Sequence, residues 1–377
     1  MAPVPQDGFA GVRRLLIFRL GSLGDTVVAL PSLRLIARRF PDAERRLLTV
    51  WPVSDKAAPV EALLGPTGLI HSLMRYPVGL RDPRALLELA RRIRAYRPDL
   101  LIYLAEPRGR FSVPRDLLFF RLCGIRRIVG APLGALRENR ALPDGLWESE
   151  AARLARSLAP LGDAELDRPE SWDLALTEAE HRAADRALAG WPGAGDFIAL
   201  SIGTKFETND WGDERWRAAL AAIGRTHPTL GLVTLGVAGE AARSQAVAAA
   251  WPGPRLDLCG KLPVRASAAV LTRARLFLGH DSGPMHLAAA VGTPVVAVFS
   301  ARNPPGIWFP HGSEHRVLYH QTPCFGCKLA HCEAYQKVCI TSIAPEAMTA
   351  AAEALLAEGR ALLTKPVLSP LGTEPER

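Results

Sequence analysis

Leu278-Gly-His-Asp-Ser-Gly-Pro-Met-His-Leu-Ala-Ala-Ala-Val-Gly-Thr-Pro-Val-Val-Ala-Val-Phe-Ser300 joins two apolar runs through a loop of small residues and a short helical pattern. Arg275 to Leu278 reads as the end of a buried strand. Asp281 and Ser282 are residue types that cap helices, and Pro284 falls where a first helical turn tolerates a missing N–H. Met285 to Val291 has helical character and is closed by Gly292, and Val295 to Phe299 reads as the next strand. The helix then begins at the carboxyl end of a strand with unpaired backbone N–H groups facing a crevice, a place that binds phosphate. An ordinary βαβ turn with a capped helix gives the same pattern.

A second loop of this kind lies near the amino terminus. Arg13 to Phe18 predicts a strand, and Arg19-Leu-Gly-Ser-Leu-Gly-Asp25 follows it. Thr26 to Phe40 carries apolar residues at helical spacing, with a kink expected at Pro31. Gly21 and Gly24 permit close backbone approach, and Asp25 stands at the helix start, as a plain cap or as a reactive carboxylate. The pattern is not GxGxxG and no acidic residue is suitably placed about 20 residues on, which disfavours a nicotinamide enzyme.

These segments together resemble glycosyltransferase family 9, the ADP-heptose:lipopolysaccharide heptosyltransferases. The resemblance runs through Phe18-Arg-Leu-Gly-Ser-Leu-Gly-Asp-Thr-Val-Val-Ala-Leu-Pro31, Pro98 to Leu104, Arg126 to Gly130, Trp211-Gly-Asp-Glu-Arg-Trp216, Leu235 to Glu240, His280-Asp-Ser-Gly-Pro-Met-His286 and Ile343 to Glu346. It implies an α/β fold of the GT-B type, two Rossmann-like domains facing across a cleft. Residues 1–175 are expected to form the acceptor-binding domain with the catalytic base, and 176–377 the nucleotide-sugar domain with a cysteine cluster and a terminal helix, Pro345 to Leu363, that packs back toward the first domain. The implied reaction is inverting transfer of a heptose or related sugar from an ADP-sugar to an anionic lipopolysaccharide core. An epimerase or hydrolase of the same architecture, or a non-catalytic sugar-nucleotide-binding protein, are the alternatives.

By that resemblance Asp25 is the general base, Asp281 orients the sugar, Glu240 meets the ribose and Leu262 lies beside adenine. Donor contacts are further expected at Ser22, Gly24, Thr204, Ser282 and Gly283. His286 either adds a charge or donor near the phosphates or is simply packed. Family members often carry a lysine two residues before the tryptophan of this loop. Here that position is Asn209, so Lys205 is the expected cation. Arg108 and Arg110, in a Gly-containing loop after the Leu100 strand, are candidates for gripping acceptor phosphates or carboxylates. An aspartate cannot deprotonate an alcohol in advance, but it can accept the proton as the C–O bond forms.

The chain has 377 residues and 48% hydrophobic content, which suits two α/β domains. No apolar run reaches the ~20 residues of a membrane span. Leu15 to Phe18 is too short for the apolar part of a signal peptide, so a cytoplasmic location is expected, with peripheral contact at the inner membrane surface. The charge of +8 is unevenly placed: residues 1–175 hold 27 Lys or Arg against 20 Asp or Glu. An anionic acceptor or a membrane surface explains such an excess. Nucleic acid is not expected, because no reader motif or aromatic-interleaved basic stripe is present. No cofactor is expected, and without an Asp-x-Asp pair no catalytic metal. Cys324, Cys327, Cys332 and Cys339 lie within sixteen residues. They leave open a structural zinc or iron site, to which His331 could add a ligand.

Further strands are expected at 47–51, 100–104, 128–129, 197–201 and 231–235. Helices are expected at 84–97, 150–159 and 182–188, the last opened by Thr177-Glu-Ala-Glu180 as a capping box.

Overall fold

The computed structural model describes residues 6–51, 59–107, 109–189, 191 and 195–363. Arg108 and the carboxyl-terminal tail from 364 lie outside these.

The strands form two parallel sheets. The first contains β1 (Arg14–Phe18), β2 (Glu44–Trp51), β3 (Ser72–Pro77), β4 (Leu100–Tyr103) and β5 (Ile128–Val129), in the order β3-β2-β1-β4-β5. The second contains β6 (Phe197–Ser201), β7 (Gly231–Thr234), β8 (Arg255–Asp257), β9 (Leu276–His280), β10 (Val295–Phe299) and β11 (Arg316–Tyr319), in the order β11-β10-β9-β6-β7-β8. The helices of the first half are α1 (Leu23–Val28), α2 (Leu30–Arg39), α3 (Val60–Leu64), α4 (Pro83–Tyr96), α5 (Ser112–Leu122) and α6 (Glu150–Ser157). Those of the second are α7 (Glu178–Leu188), α8 (Asp213–Thr226), α9 (Ala241–Ala248), α10 (Val264–Leu271), α11 (Gly283–Ala290), α12 (Val338–Thr341) and α13 (Pro345–Leu363).

Central strands β6, β9 and β10 are buried along their whole length, as strands covered on both faces must be, and this makes them continuous apolar runs. The expected strands are present. β3, β8 and β11 were not anticipated, and each is a sheet edge. Half-covered edges need no unbroken apolar run, so their sequences carry little signal. The expected Thr26–Phe40 helix is two helices that meet at Ala29, with Pro31 at the second position of α2. The Thr177–Glu180 capping box is present at the start of α7.

One expectation is corrected. α13 does not fold back toward the first sheet. Its apolar residues Met348, Ala352, Leu355 and Leu356 join Trp211, Trp216, Leu220 and Val296 in one cluster, packed on α8 and the second sheet. That face is the apolar stripe of α13, and the stripe matches the α8 surface beside it. No helix among the described residues is long and apolar enough to cross a membrane.

The two sheets are joined by buried polar contacts. Arg265 of α10, 3% exposed, donates to the carbonyls of Leu63, Leu174 and Ala175 and pairs with Glu180. Trp147 and Glu150 donate their backbone N–H groups to the carbonyls of Pro305 and Ile307. Arg265→Ala would leave Glu180 and three carbonyls without their donor. It should cost about 3–5 kcal/mol, read as a lower midpoint of urea unfolding.

Candidate active site

Strand order reverses between β1 and β4 in the first sheet and between β6 and β9 in the second. In open parallel sheets such a reversal opens a crevice beyond the carboxyl ends of the strands, because the flanking helices diverge to opposite faces. The loop bearing Asp25 leaves β1, the loop with Glu106 leaves β4, residues 202–211 leave β6, and 281–286 leave β9. Both loops singled out in the sequence therefore sit at reversal points.

They also meet. α1 packs against α11. A Cβ on Gly24 would lie 3.0 Å from His286 Cδ2 and 3.6 Å from the Gly283 Cα, and one on Gly283 would lie 3.0 Å from the Leu23 side chain. A Cβ at either position would press on a side chain of the facing helix, so glycine favours this close approach.

Ser22, not Asp25, is the N-cap residue of α1. Asp25 is the third helical residue, and its Oδ2 accepts from Ser22 N–H and Oγ–H, 2.7 Å each. Oδ1 accepts no hydrogen bond from the described residues. Behind Asp25, the buried Arg19 donates to the carbonyls of Leu104 (2.6 Å) and Asp25, tying the turn to the end of β4. Glu106 lies at the mouth, its carboxyl raised by partial burial and then by Glu150 and Asp25. Glu150 itself is paired with Arg153 in the interior, both about 2% exposed.

Across the crevice, Ser282 caps α11, and its buried Oγ has no partner among the described residues. Asp281 accepts no protein hydrogen bond either. Burial pushes its carboxyl up to about 7, opposed by Arg302 and reinforced by Asp25. His286 is 5% exposed, and burial lowers it to about 4 despite Asp25, so it is neutral near pH 7. The expectation of an added charge at His286 is corrected: its ring packs under Gly24 and edge-on to Trp308.

The 202–211 loop is held by His280 at the end of β9. The backbone N–H of Trp211 and the indole N–H of Trp216 both donate to His280 Nε2, 3.1 Å each. Thr204 Oγ1 donates to the carbonyl of Phe206. Glu240 fits where Gly203 and Gly236 have no side chains: a Cβ on Gly203 would lie 2.0 Å from its Oε1, and one on Gly236 2.4 Å from its Oε2. The Val237 N–H fixes its Oε2 at 3.1 Å. Leu262 is partly buried against the core beyond.

Residues 122–337 match the family described as Glycosyltransferase family 9 (heptosyltransferase). The chain belongs to this family. It is a glycosyltransferase. A relative from Pseudomonas aeruginosa, "Lipopolysaccharide heptosyltransferase 1", is 26% identical over 91% of this chain and 98% of its own. The fold is shared with a family 9 glycosyltransferase from Veillonella parvula, with a TM-score of 0.67 and 19% identity over 92% and 98% of the two chains. It is shared also with E. coli ADP-heptose lps heptosyltransferase II, with a TM-score of 0.62 and 18% identity over 92% and 99%.

In this family 9 chain Asn209 is buried, and its Oδ1 accepts from Ser300 Oγ–H at 2.6 Å. Lys205 is exposed, its ammonium 5.3 Å from the Phe206 ring. Arg302 also stacks on Phe206, its guanidinium carbon 3.8 Å from the ring centre. Arg302 was not anticipated from sequence, since an arginine three residues after a strand has no signature. Its Nε and Nη2 donate to the carbonyls of Leu329 and Lys328, and Asp281 is the first counter-charge supporting its cation against burial. Nη1 donates to no acceptor among the described residues.

The carbonyls that hold Arg302 belong to the cysteine loop. Thr208 N–H bonds to Ala330 O, Gly326 N–H to Ala301 O and Lys328 N–H to Arg302 O, so this loop braces the loops after β6 and β10. Cys324, Cys327, Cys332 and Cys339 line one cavity with Ser300 and Arg302, and all four are free thiols. Among the described residues no three His, Cys, Asp or Glu side chains are already arranged as a metal site. Arg110 is exposed and lies 4.5 Å over the Phe111 ring.

Two outcomes follow from this geometry. Gly24→Ala or Gly283→Ala should wedge α1 from α11 and lower kcat by about 10²-fold, with Tm little changed. Asp281 titrates near 7 when folded against an ordinary 3.8, so stability falls as pH rises across that interval. Asp281→Asn should therefore stabilise the protein by roughly 1–4 kcal/mol at pH 8 and give no gain below pH 4, in denaturant titrations at the two pH values.

Proposed function

We propose that this chain is an inverting transferase that moves a heptose or related sugar from an ADP-sugar to an anionic lipopolysaccharide core. The observation that carries the proposal is the shared crevice: a carboxylate with one free oxygen, Asp25, faces a helix amino end with an unsatisfied serine hydroxyl, Ser282. The acceptor and ADP-sugar readings draw support from the names of the relatives in P. aeruginosa and E. coli. In this reading residues 1–175 hold the acceptor and the base, and 176–377 hold the donor. The site faces the cytoplasm, and the protein meets the inner membrane surface peripherally.

The diphosphate lies at the amino end of α11, taking N–H groups from Ser282, Gly283 and Met285 and the Ser282 hydroxyl. Arg302 and Lys205, both beside Phe206, offset its charge in place of the lysine absent at Asn209. Asp281 accepts hydrogen bonds from sugar hydroxyls, and Glu240 from the ribose. Leu262 and Thr204 line the nucleotide path, and Arg110 contacts acceptor anions. As the acceptor oxygen bonds to the anomeric carbon, its proton passes to Asp25 Oδ1 and the bond to the diphosphate breaks, releasing ADP. A single displacement inverts the anomeric carbon.

Asp25→Asn should lower kcat by about 10²–10⁴-fold while ADP affinity stays within about twofold. Full turnover in that variant, with ADP-heptose and a defined lipid acceptor, would overturn the assignment. Arg302→Ala should weaken ADP binding by about 10–100-fold in calorimetry and leave adenosine binding unchanged, because a charge-assisted bond to phosphate is worth about 1.5–3 kcal/mol. Lys205→Ala, whose ammonium is in water, should have the smaller effect.

A further inference from the structure

The outward side of α5 carries an apolar ridge between cations. Phe111, Leu118 and Leu122 are 68%, 61% and 64% exposed, above every other large apolar side chain described. Their spacing of seven and four residues sets them in one stripe along the helix. The opposite side holds α5 in place through Val113 and Phe120, both in the core of the first sheet. The ridge is therefore not a helix awaiting its own core.

Arginines frame it. Arg115 and Arg121 project from the two sides of the stripe, Arg110 stacks on Phe111, and Arg126 is exposed just beyond the helix. Residues 109–126 contain these four arginines and one acid, Asp116. That carboxylate is taken by the Tyr103 hydroxyl at 3.0 Å and by Arg115 at 2.8 Å. A second copy of this face would bring arginine against arginine, which disfavours self-association. A bilayer carrying negative headgroups satisfies both features, since apolar side chains enter the acyl boundary while guanidinium groups stay among the phosphates.

We propose that this face of α5 docks on an anionic phospholipid surface. Its position gives the contact a use that rests on the lipid-linked acceptor proposed above. α5 follows the loop from β4, which neighbours β1 and its Asp25 turn, so docking here sets the mouth of the crevice beside the bilayer.

Co-sedimentation of the full chain with phosphatidylcholine vesicles, and with equal parts phosphatidylcholine and phosphatidylglycerol, tests the proposal without donor or acceptor present. Wild type should partition onto the mixed vesicles and hardly onto phosphatidylcholine alone. Leu118→Glu with Leu122→Glu should lower that partition by about tenfold or more with Tm unchanged, because both side chains already face water. Arg115→Gln with Arg121→Gln should lower it on mixed vesicles only. Transfer to a deacylated, water-soluble acceptor should be unchanged in the leucine variant, while transfer to a vesicle-borne acceptor falls. Equal partition of wild type and the leucine variant would overturn the proposal. So would absence of wild-type binding to mixed vesicles, or a wild-type dimer that the leucine variant dissociates. A failure of the transferase reading shows separately, as no turnover on either acceptor whatever the vesicles do.

Discussion

The close approach of α1 and α11 through Gly24 and Gly283 is the constraint on which the site depends. Each helix begins at a strand-order reversal and directs unpaired N–H groups and a positive dipole end into the same space. Two such ends repel unless something anionic lies between or beside them, and Asp25 and Asp281 supply part of that charge. Asp281 does so at a cost, because burial and Asp25 both oppose its ionisation. A site built of opposed helix ends and a strained carboxylate is suited to a ligand with dispersed negative charge and many hydroxyls, which a sugar diphosphate is.

The remaining contacts hold that arrangement in register. Arg19 ties the Asp25 turn to β4, His280 locks the tryptophan loop to β9, and Arg265 stitches α10 to α3, α7 and the connection between the sheets. All three side chains are buried; Arg19 and Arg265 each bond two or more backbone carbonyls, and His280 accepts from one backbone N–H and one indole N–H. The cysteine loop does the same from the outside by bracing residues 208 and 301–302. Its effect on the donor side passes through Arg302, the cation that takes the place expected of a lysine.

Charge is divided along the same lines. The first half carries the arginine excess, and on and around α5 four arginines stand against one acid between residues 109 and 126. The second half presents the amino end of α11 and two cations beside Phe206.

Sequence alone determined the two parallel α/β halves, the central strands, the paired glycine loops and the family. These depend on local signals: unbroken apolar runs, cap residues and glycines at fixed offsets. It singled out Asp25, Asp281, Ser282 and Glu240 by motif position, and the strand-order reversals put the loops of Asp25 and Asp281 at the crevice. Edge strands β3, β8 and β11 were silent, since half-covered backbone imposes no apolar pattern. Tertiary structure alone decided that α13 stays on the second sheet and that His286 is neutral. It alone placed Arg302 over Phe206 and brought the four thiols to one cavity. Each of these turns on which surfaces come together across long stretches of chain, and on the desolvation that results, neither of which a residue's sequence neighbours record.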